Sequence, residues 1–228
     1  MSLKKEPREI IHKIEKVINL EEHIFTTLEA GEDIFRKAVA TILSQNTNDR
    51  NSIEAFKELD SSIEITPENM VDIGLEELAE KIRLSGLYIQ KARGIKELAQ
   101  KVEEELGGDL SQLSSWETEK ARNWLLSIKG IGRKTADIIL MHLGHPTFPV
   151  DTHIARVTCR IGLAESRNYE EVARVWLEGL DPEEYFKTHL LLIAFGREIC
   201  VSRRPRCGKC PINQVCRYYL EDGEDCKT

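Results

Sequence analysis

An all-α fold is expected for this 228-residue chain on three grounds. Apolar residues recur at intervals of three and four through almost every segment. No run alternates long enough to make a strand, Ile63 and Ile65 being too short a pair to count. Short turns carrying capping residues, proline or glycine separate the segments. About ten helices with short connections account for this pattern.

Taken in order, Ile10, Ile11, Ile14, Val17 and Ile18 form the first helical stripe. The segment from Ile34 to Leu43 is apolar on nearly all sides, which predicts a buried helix. It runs directly into the polar turn Ser44 to Asp49, whose capping residues start a helix with Ile53, Phe56 and Leu59 facing inward. Thr66 followed by Pro67 is a cap with proline at the first helical position. Leu75, Leu78, Ala79 and Ile82 continue the theme until Ser85 to Tyr88 interrupts it. Ala92, Ile95, Leu98, Ala99 and Val102 make the next stripe, ended by Gly107 and Gly108. A helix from Trp116 to Ile128 leads into a glycine turn. Asp151 occupies an N-cap position ahead of Ile154, Val157 and Ile161, and Gly162 closes that helix. Asn168 precedes a helix carrying Val172, Val175 and Trp176, and the apolar segment from Leu190 to Phe195 delivers Cys200.

The chain is long enough for a substantial core, in one domain or two. Its 41% hydrophobic and 31% charged residues describe a soluble globular protein. No stretch approaches the roughly 18 to 20 apolar residues that span a bilayer, and the start from Met1 lacks an apolar secretory core. An intracellular location with no membrane partner is expected. Net charge is −7, which argues mildly against a protein that coats nucleic acid, but a local basic face remains compatible with it. Between Arg197 and Arg217 there are six basic side chains against one acid, Glu198, while Glu103 to Glu105 and the tail from Glu221 concentrate acid elsewhere. A bipolar molecule follows.

Two motifs carry chemistry. In the first, Gly130 and Gly132 form a Gly-x-Gly turn between two apolar helical patterns, followed by Arg133 and Lys134. Glycine permits a tight reversal and close approach of another backbone, and the amides opening the next helix are donors suited to a phosphate. This is a helix–hairpin–helix phosphate clamp, with Lys134 one turn away; alone, it leaves Lys134 readable as one more solvated lysine. In the second, Cys200, Cys207, Cys210 and Cys216 give the spacing C-x6-C-x2-C-x5-C. Four thiolates so close together suit one soft metal centre, either zinc or a 4Fe–4S cluster, with a disulfide pair the weaker reading for an intracellular chain. Arg203, Arg204, Arg206 and Lys209 lie between the ligands, suited to phosphate or to offsetting the charge of the centre. Cys159 and Cys226 are read as ordinary thiols.

These residues resemble the endonuclease III branch of the helix–hairpin–helix DNA glycosylases. The likeness rests on the stretch Lys129 to Ala136, on Val150-Asp151-Thr152-His153 and on the cysteine loop, with shorter echoes at Leu43-Ser44-Gln45 and Gly86-Leu87-Tyr88. It implies a six-helix barrel domain at 34–146 and a discontinuous helical domain, 1–33 with 147–228, holding a 4Fe–4S cluster on the four cysteines. It further implies a site for double-stranded DNA in the cleft between them. Lys134 falls on the family's Schiff-base lysine and Asp151 on its paired aspartate. Gln45 falls on the residue that fills the gap left by an extruded nucleotide, and Leu87 on the wedge in the opposite strand.

The implied activity is that of a bifunctional DNA glycosylase/AP lyase of base excision repair. It would remove oxidised pyrimidines and cut the strand by β-elimination, as a monomer in the cytoplasm and associated with the nucleoid. Partial burial and the neighbouring Arg133 are expected to favour the uncharged amine of Lys134. Asp151 is also readable as a plain N-cap, His153 as a satisfied structural histidine and Leu87 as a core leucine. Two departures stand out: Ile128-Lys129 where the family commonly has leucine-proline, and a loop at Gln45 to Asn48 lacking the usual alanine and aspartate, which bears on base preference. The alternatives are a mismatch-specific monofunctional glycosylase, which generally lacks the lysine, and a non-catalytic cluster-bearing DNA-binding module.

Overall fold

The computed structural model describes residues 6–221, so Cys226 and the acidic tail beyond Glu221 lie outside the described residues. The described residues are helical with no strand. They divide into two compact units, one spanning Ile24–His145 and the other running up to His23 and again from Pro146. The continuous unit begins at Ile24, where the sequence predicts its start at 34, and the short helix near Thr26 packs with the two helices that follow it.

In chain order, α1 (Pro7–Glu15) belongs to the discontinuous unit. Its stripe ends early: Ile10 and Ile14 are buried and Ile18 remains so beyond the helix, but Val17 is exposed. Helices α2 (Thr26–Glu29), α3 (Ile34–Ser44), α4 (Asp49–Ser62), α5 (Pro67–Asp72), α6 (Leu75–Lys81), α7 (Tyr88–Leu106), α8 (Thr118–Leu126) and α9 (Arg133–His142) make the continuous unit. Helix α3 packs against α2, α4, α7 and α9, which explains why it is apolar on nearly all sides.

Local signals set these boundaries. Asn48 caps α4 by accepting from the Asn51 amide at 2.9 Å, and Thr66 caps α5 ahead of Pro67. Gly107, at φ +57, ends α7, and the Gly108 amide returns to the Val102 carbonyl at 3.0 Å. Phe56, Leu59, Met70, Leu78 and Leu98 form the centre of the core, each contributing about 1.5–3 kcal/mol by burial.

A buried ion pair joins α8 and α9 in this unit. Asp137 on α9 is 2% exposed and accepts from Arg122 Nε at 2.7 Å and Arg133 Nε at 3.2 Å. Removing the carboxylate leaves the buried Arg122 guanidinium with Glu119 as its remaining acidic partner, so Asp137→Ala is expected to lower unfolding free energy by about 2–3 kcal/mol in urea titrations. Replacing Arg122 and Asp137 together with apolar residues should recover most of that loss; a single variant within about 1 kcal/mol of wild type would contradict the account.

The second unit continues with α10 (Thr152–Ile161), α11 (Tyr169–Gly179), α12 (Tyr185–Glu198) and α13 (Arg217–Leu220). Asp151 caps α10 and Asn168 caps α11, as the sequence predicts. Its core is aromatic: Phe148 stacks on Trp176 at 6.0 Å and meets Tyr185 edge-on at 6.1 Å, and Trp176 donates its indole N–H to Thr158 at 2.9 Å. No helix among the described residues is long and apolar enough to cross a membrane.

Candidate functional site

Helices α8 and α9 are joined by a turn that the Ile131 amide closes on the Ile128 carbonyl at 3.1 Å. Gly130 stands at φ +90, where an L side chain is disfavoured. Gly132 needs no such freedom; it begins α9 with no side-chain cap on the first-turn amides. A Cβ at Gly130 or Gly132 would meet nothing within 4 Å, so the space beside both is open in the chain alone. The close backbone approach lies elsewhere, at Gly94 on α7, where a Cβ would sit 3.1 Å from the Lys129 carbonyl.

Lys134, in the first turn of α9, lines a pocket of about 280 Å³ with Ser44, Gln45, Asn46, Gly130 and Gly132. The Gln45 amide nitrogen donates to the Gly130 carbonyl at 3.1 Å and to Thr135 Oγ1 at 2.9 Å. Thus two residues far apart in sequence, Gln45 and Lys134, share one pocket. Two sequence expectations need correction. Lys134 is exposed rather than partly buried, and Arg133 turns its guanidinium to Asp137.

Beside this lies a smaller pocket of about 80 Å³ lined by Gln45, Asn46, Leu87, Gln90, Lys91 and Gly130. Leu87 is 54% exposed, which excludes the core-leucine reading. Its backbone is left-handed at φ 48, as are Asn46 at 51 and Arg204 at 56, the only such non-glycine residues described. All three lie in the loops singled out from sequence, and strained backbone of this kind concentrates at functional sites.

Sequence reasoning missed Lys91. Its position four residues before Ile95 puts it on the apolar stripe of α7, a signal available in the sequence. The residue is 4% exposed, and burial pushes the pKa of its amine down to about 8 from the usual lysine value of 10.5. The unfolded chain therefore holds a proton that the fold releases between these values, so stability rises with pH across that window. Urea midpoints from pH 8 to about 10.5 should show wild type gaining up to about 3 kcal/mol relative to Lys91→Met. Parallel pH curves would contradict this.

In the other unit, Asp151 accepts from the Ile154 amide at 2.8 Å, so its N-cap role is real. His153 is half-buried; burial lowers its pKa, while the Asp151 charge pulls the other way. Arg156 donates to His153 Nδ1 at 3.1 Å, to the Gly196 carbonyl at 2.8 Å and to the Cys200 carbonyl at 3.0 Å.

Cys200, Cys207, Cys210 and Cys216 are free thiols lining one small cavity with Ile212 and Tyr218. Burial raises the pKa of Cys200, of Cys216 and of Cys210, the last to about 11. No three His, Cys, Asp or Glu among the described residues converge on a point that would hold a single metal ion. Arg160, 3% exposed, donates to the Val201 and Ser202 carbonyls at 2.8 and 3.0 Å and stacks on Tyr218, fixing the start of the loop. Arg203, Arg204, Arg206 and Lys209 are all exposed. Cys159 is buried on α10.

Residues 39–182 match the HhH-GPD superfamily of base excision DNA repair proteins. Endonuclease III of Sulfolobus acidocaldarius is 38% identical over 193 residues, covering 83% of this chain and 84% of that protein. The chain belongs to the endonuclease III family. A structure of a trapped endonuclease III–DNA covalent intermediate superposes with a TM-score of 0.76 at 29% identity, covering 95% of this chain and 97% of the other. A thermostable thymine-DNA glycosylase, at TM-score 0.79, 22% identity and 94% and 96% coverage, shares the fold. Endonuclease III membership makes this chain a DNA glycosylase of base excision repair, and the all-α fold is the one its sequence predicts.

Proposed function

We propose that this endonuclease III family member removes oxidised pyrimidines from duplex DNA through a Schiff base on Lys134 and then cuts the strand at the abasic site. The observation that carries this reading is the pocket shared by Lys134, Gln45, Asn46 and the glycine hairpin. A damaged base must leave the stack to be reached, and weak pairing makes that easier. Gln45 fills the vacated space and Leu87, exposed and apolar, wedges the opposite strand. The hairpin amides and the exposed Arg203, Arg204, Arg206 and Lys209 hold phosphates.

The Lys134 amine attacks C1′ of the everted deoxyribose as the base departs, and Asp151 stabilises the positive charge that develops on the sugar. The nitrogen gives up a proton to O4′ as the C1′–O4′ bond opens, leaving an iminium; loss of a C2′ proton then expels the C3′ oxygen with its phosphate, freeing the 3′ strand while the sugar stays on nitrogen. Because Lys134 is exposed in the chain alone, the bound DNA must exclude water from the amine. The trapped covalent intermediate of the structurally similar endonuclease III supports this route, and the presence of a lysine argues against a monofunctional mismatch enzyme.

The donor set at Cys200, Cys207, Cys210 and Cys216 fits a 4Fe–4S cluster better than zinc: four thiols line one cavity, and their spacing lacks the two C-x2-C knuckles common in zinc sites. Each thiolate would hold one iron, and the cluster would stiffen the loop that carries the arginines. We place this protein as a monomer acting in the cytoplasm on nucleoid DNA.

A panel of duplexes bearing thymine glycol, other oxidised pyrimidines, mispairs and abasic sites tests the reading, with base release and strand scission scored separately. Scission that tracks release on oxidised pyrimidines supports it; release without scission on mispairs overturns it. The same preparation should be brown, with broad visible absorption.

A further inference from the structure

Lys91 is a buried cation whose hydrogen-bond partners are two backbone carbonyls and no carboxylate. Its ammonium donates to the Leu43 carbonyl at 2.8 Å and the Ser85 carbonyl at 2.6 Å. Methionine would fill the same space without the cost of desolvating a charge, and a cation in the first turn of a helix opposes the helix dipole. What the amine provides is the connection between those carbonyls. Leu43 lies in the last turn of α3, where carbonyls lack helical partners, just ahead of Gln45 and Asn46. Ser85 directly precedes Gly86 and Leu87. One nitrogen therefore ties the roots of two turns, and each turn holds a non-glycine residue in left-handed backbone, Asn46 and Leu87. Such conformations persist only where the surroundings over-determine them.

We propose that Lys91 is a positioning residue for base extrusion, its ammonium fixing the spacing between the turn that presents Gln45 and the turn that presents Leu87. Gap filler and wedge then enter the duplex as one rigid unit rather than as two independent loops. The inference rests on the roles given to Gln45 and Leu87 under the proposed function. Extrusion is demanding for a stacked, paired lesion and far less so at an abasic site, where no base has to be unstacked. Loss of Lys91 should separate the two substrates.

The test compares wild type with Lys91→Met on two duplexes, one with a paired thymine glycol beside the fluorescent base 2-aminopurine and one with an abasic site. Lys91→Met is expected to slow single-turnover base release about thirtyfold and to blunt the 2-aminopurine rise, while trapping at the abasic site stays within about threefold. In a Leu87→Ala background the further loss from Lys91→Met should shrink to near nothing, because both act through the wedge. Equal losses on both duplexes, an undiminished loss in the Leu87→Ala background, or wild-type release by a folded Lys91→Met overturns the proposal. Should Lys91→Met fail to fold, Lys91→Leu, which likewise lacks a donor, is judged by the same criteria. If wild type neither releases bases nor traps, the functional reading fails first; if it does both and Lys91→Met matches it, only the positioning role fails.

Discussion

Lys134→Ala will give no borohydride-trapped DNA adduct, and its strand scission at an abasic site will fall by on the order of ten-thousandfold. The size follows from removing the nucleophile itself, so no neighbouring amine is expected to substitute. Lys134 is exposed and has no part in the core, so the variant should unfold within about 0.5 kcal/mol of wild type. Duplex binding should also survive, because the hairpin amides and the arginine loop are untouched. An alanine variant that still traps would mean that another amine carries the chemistry.

Asp151→Asn is expected to lose base release by about three orders of magnitude while keeping its fold and its affinity for duplex. The argument turns on two roles in one side chain. As N-cap, Asp151 accepts from the Ile154 amide, and asparagine caps about as well as aspartate, so stability should change by only a few tenths of a kcal/mol. As a charge facing a cationic sugar, the carboxylate has no substitute in an amide. Asp151→Ala separates the roles further, adding a loss of about 1 kcal/mol in stability to the same loss of rate. Single-turnover release and thermal melting on the three proteins decide it: an asparagine variant with the wild-type rate reduces Asp151 to a cap.

Local chemistry was the legible part of this chain. Asn48, Thr66, Asp151 and Asn168 all cap the helices they precede, because a cap is decided within three residues. The segment at α3, apolar on nearly all sides, is buried for the reason its pattern gives. What the sequence could not state was long-range. Gln45 meets Gly130 and Thr135 across a large separation in the chain, and nothing in its own turn announces those partners. Leu87 looked as much like core as wedge, since an apolar residue beside an amphipathic helix is ambiguous until its exposure is seen. The exposure of Lys134 was misjudged for a related reason: the residues that flank a lysine do not say whether it points into its helix's packed face or away from it. Lys91 carried a visible signal, a charge on an apolar stripe, but its two carbonyl partners needed the fold. Arg122 and Asp137 show the same limit, a buried ion pair joining two helices across the hairpin.

The most direct measurement maps the covalent bond itself. Wild-type protein is reduced with borohydride on an oxidised-pyrimidine duplex, digested, and its peptides are sequenced by mass. The deoxyribose remnant should sit on the Lys134 side chain, in the peptide that follows the glycine hairpin. A remnant on any other residue, or full base release with no trapped peptide at all, would contradict the central claim.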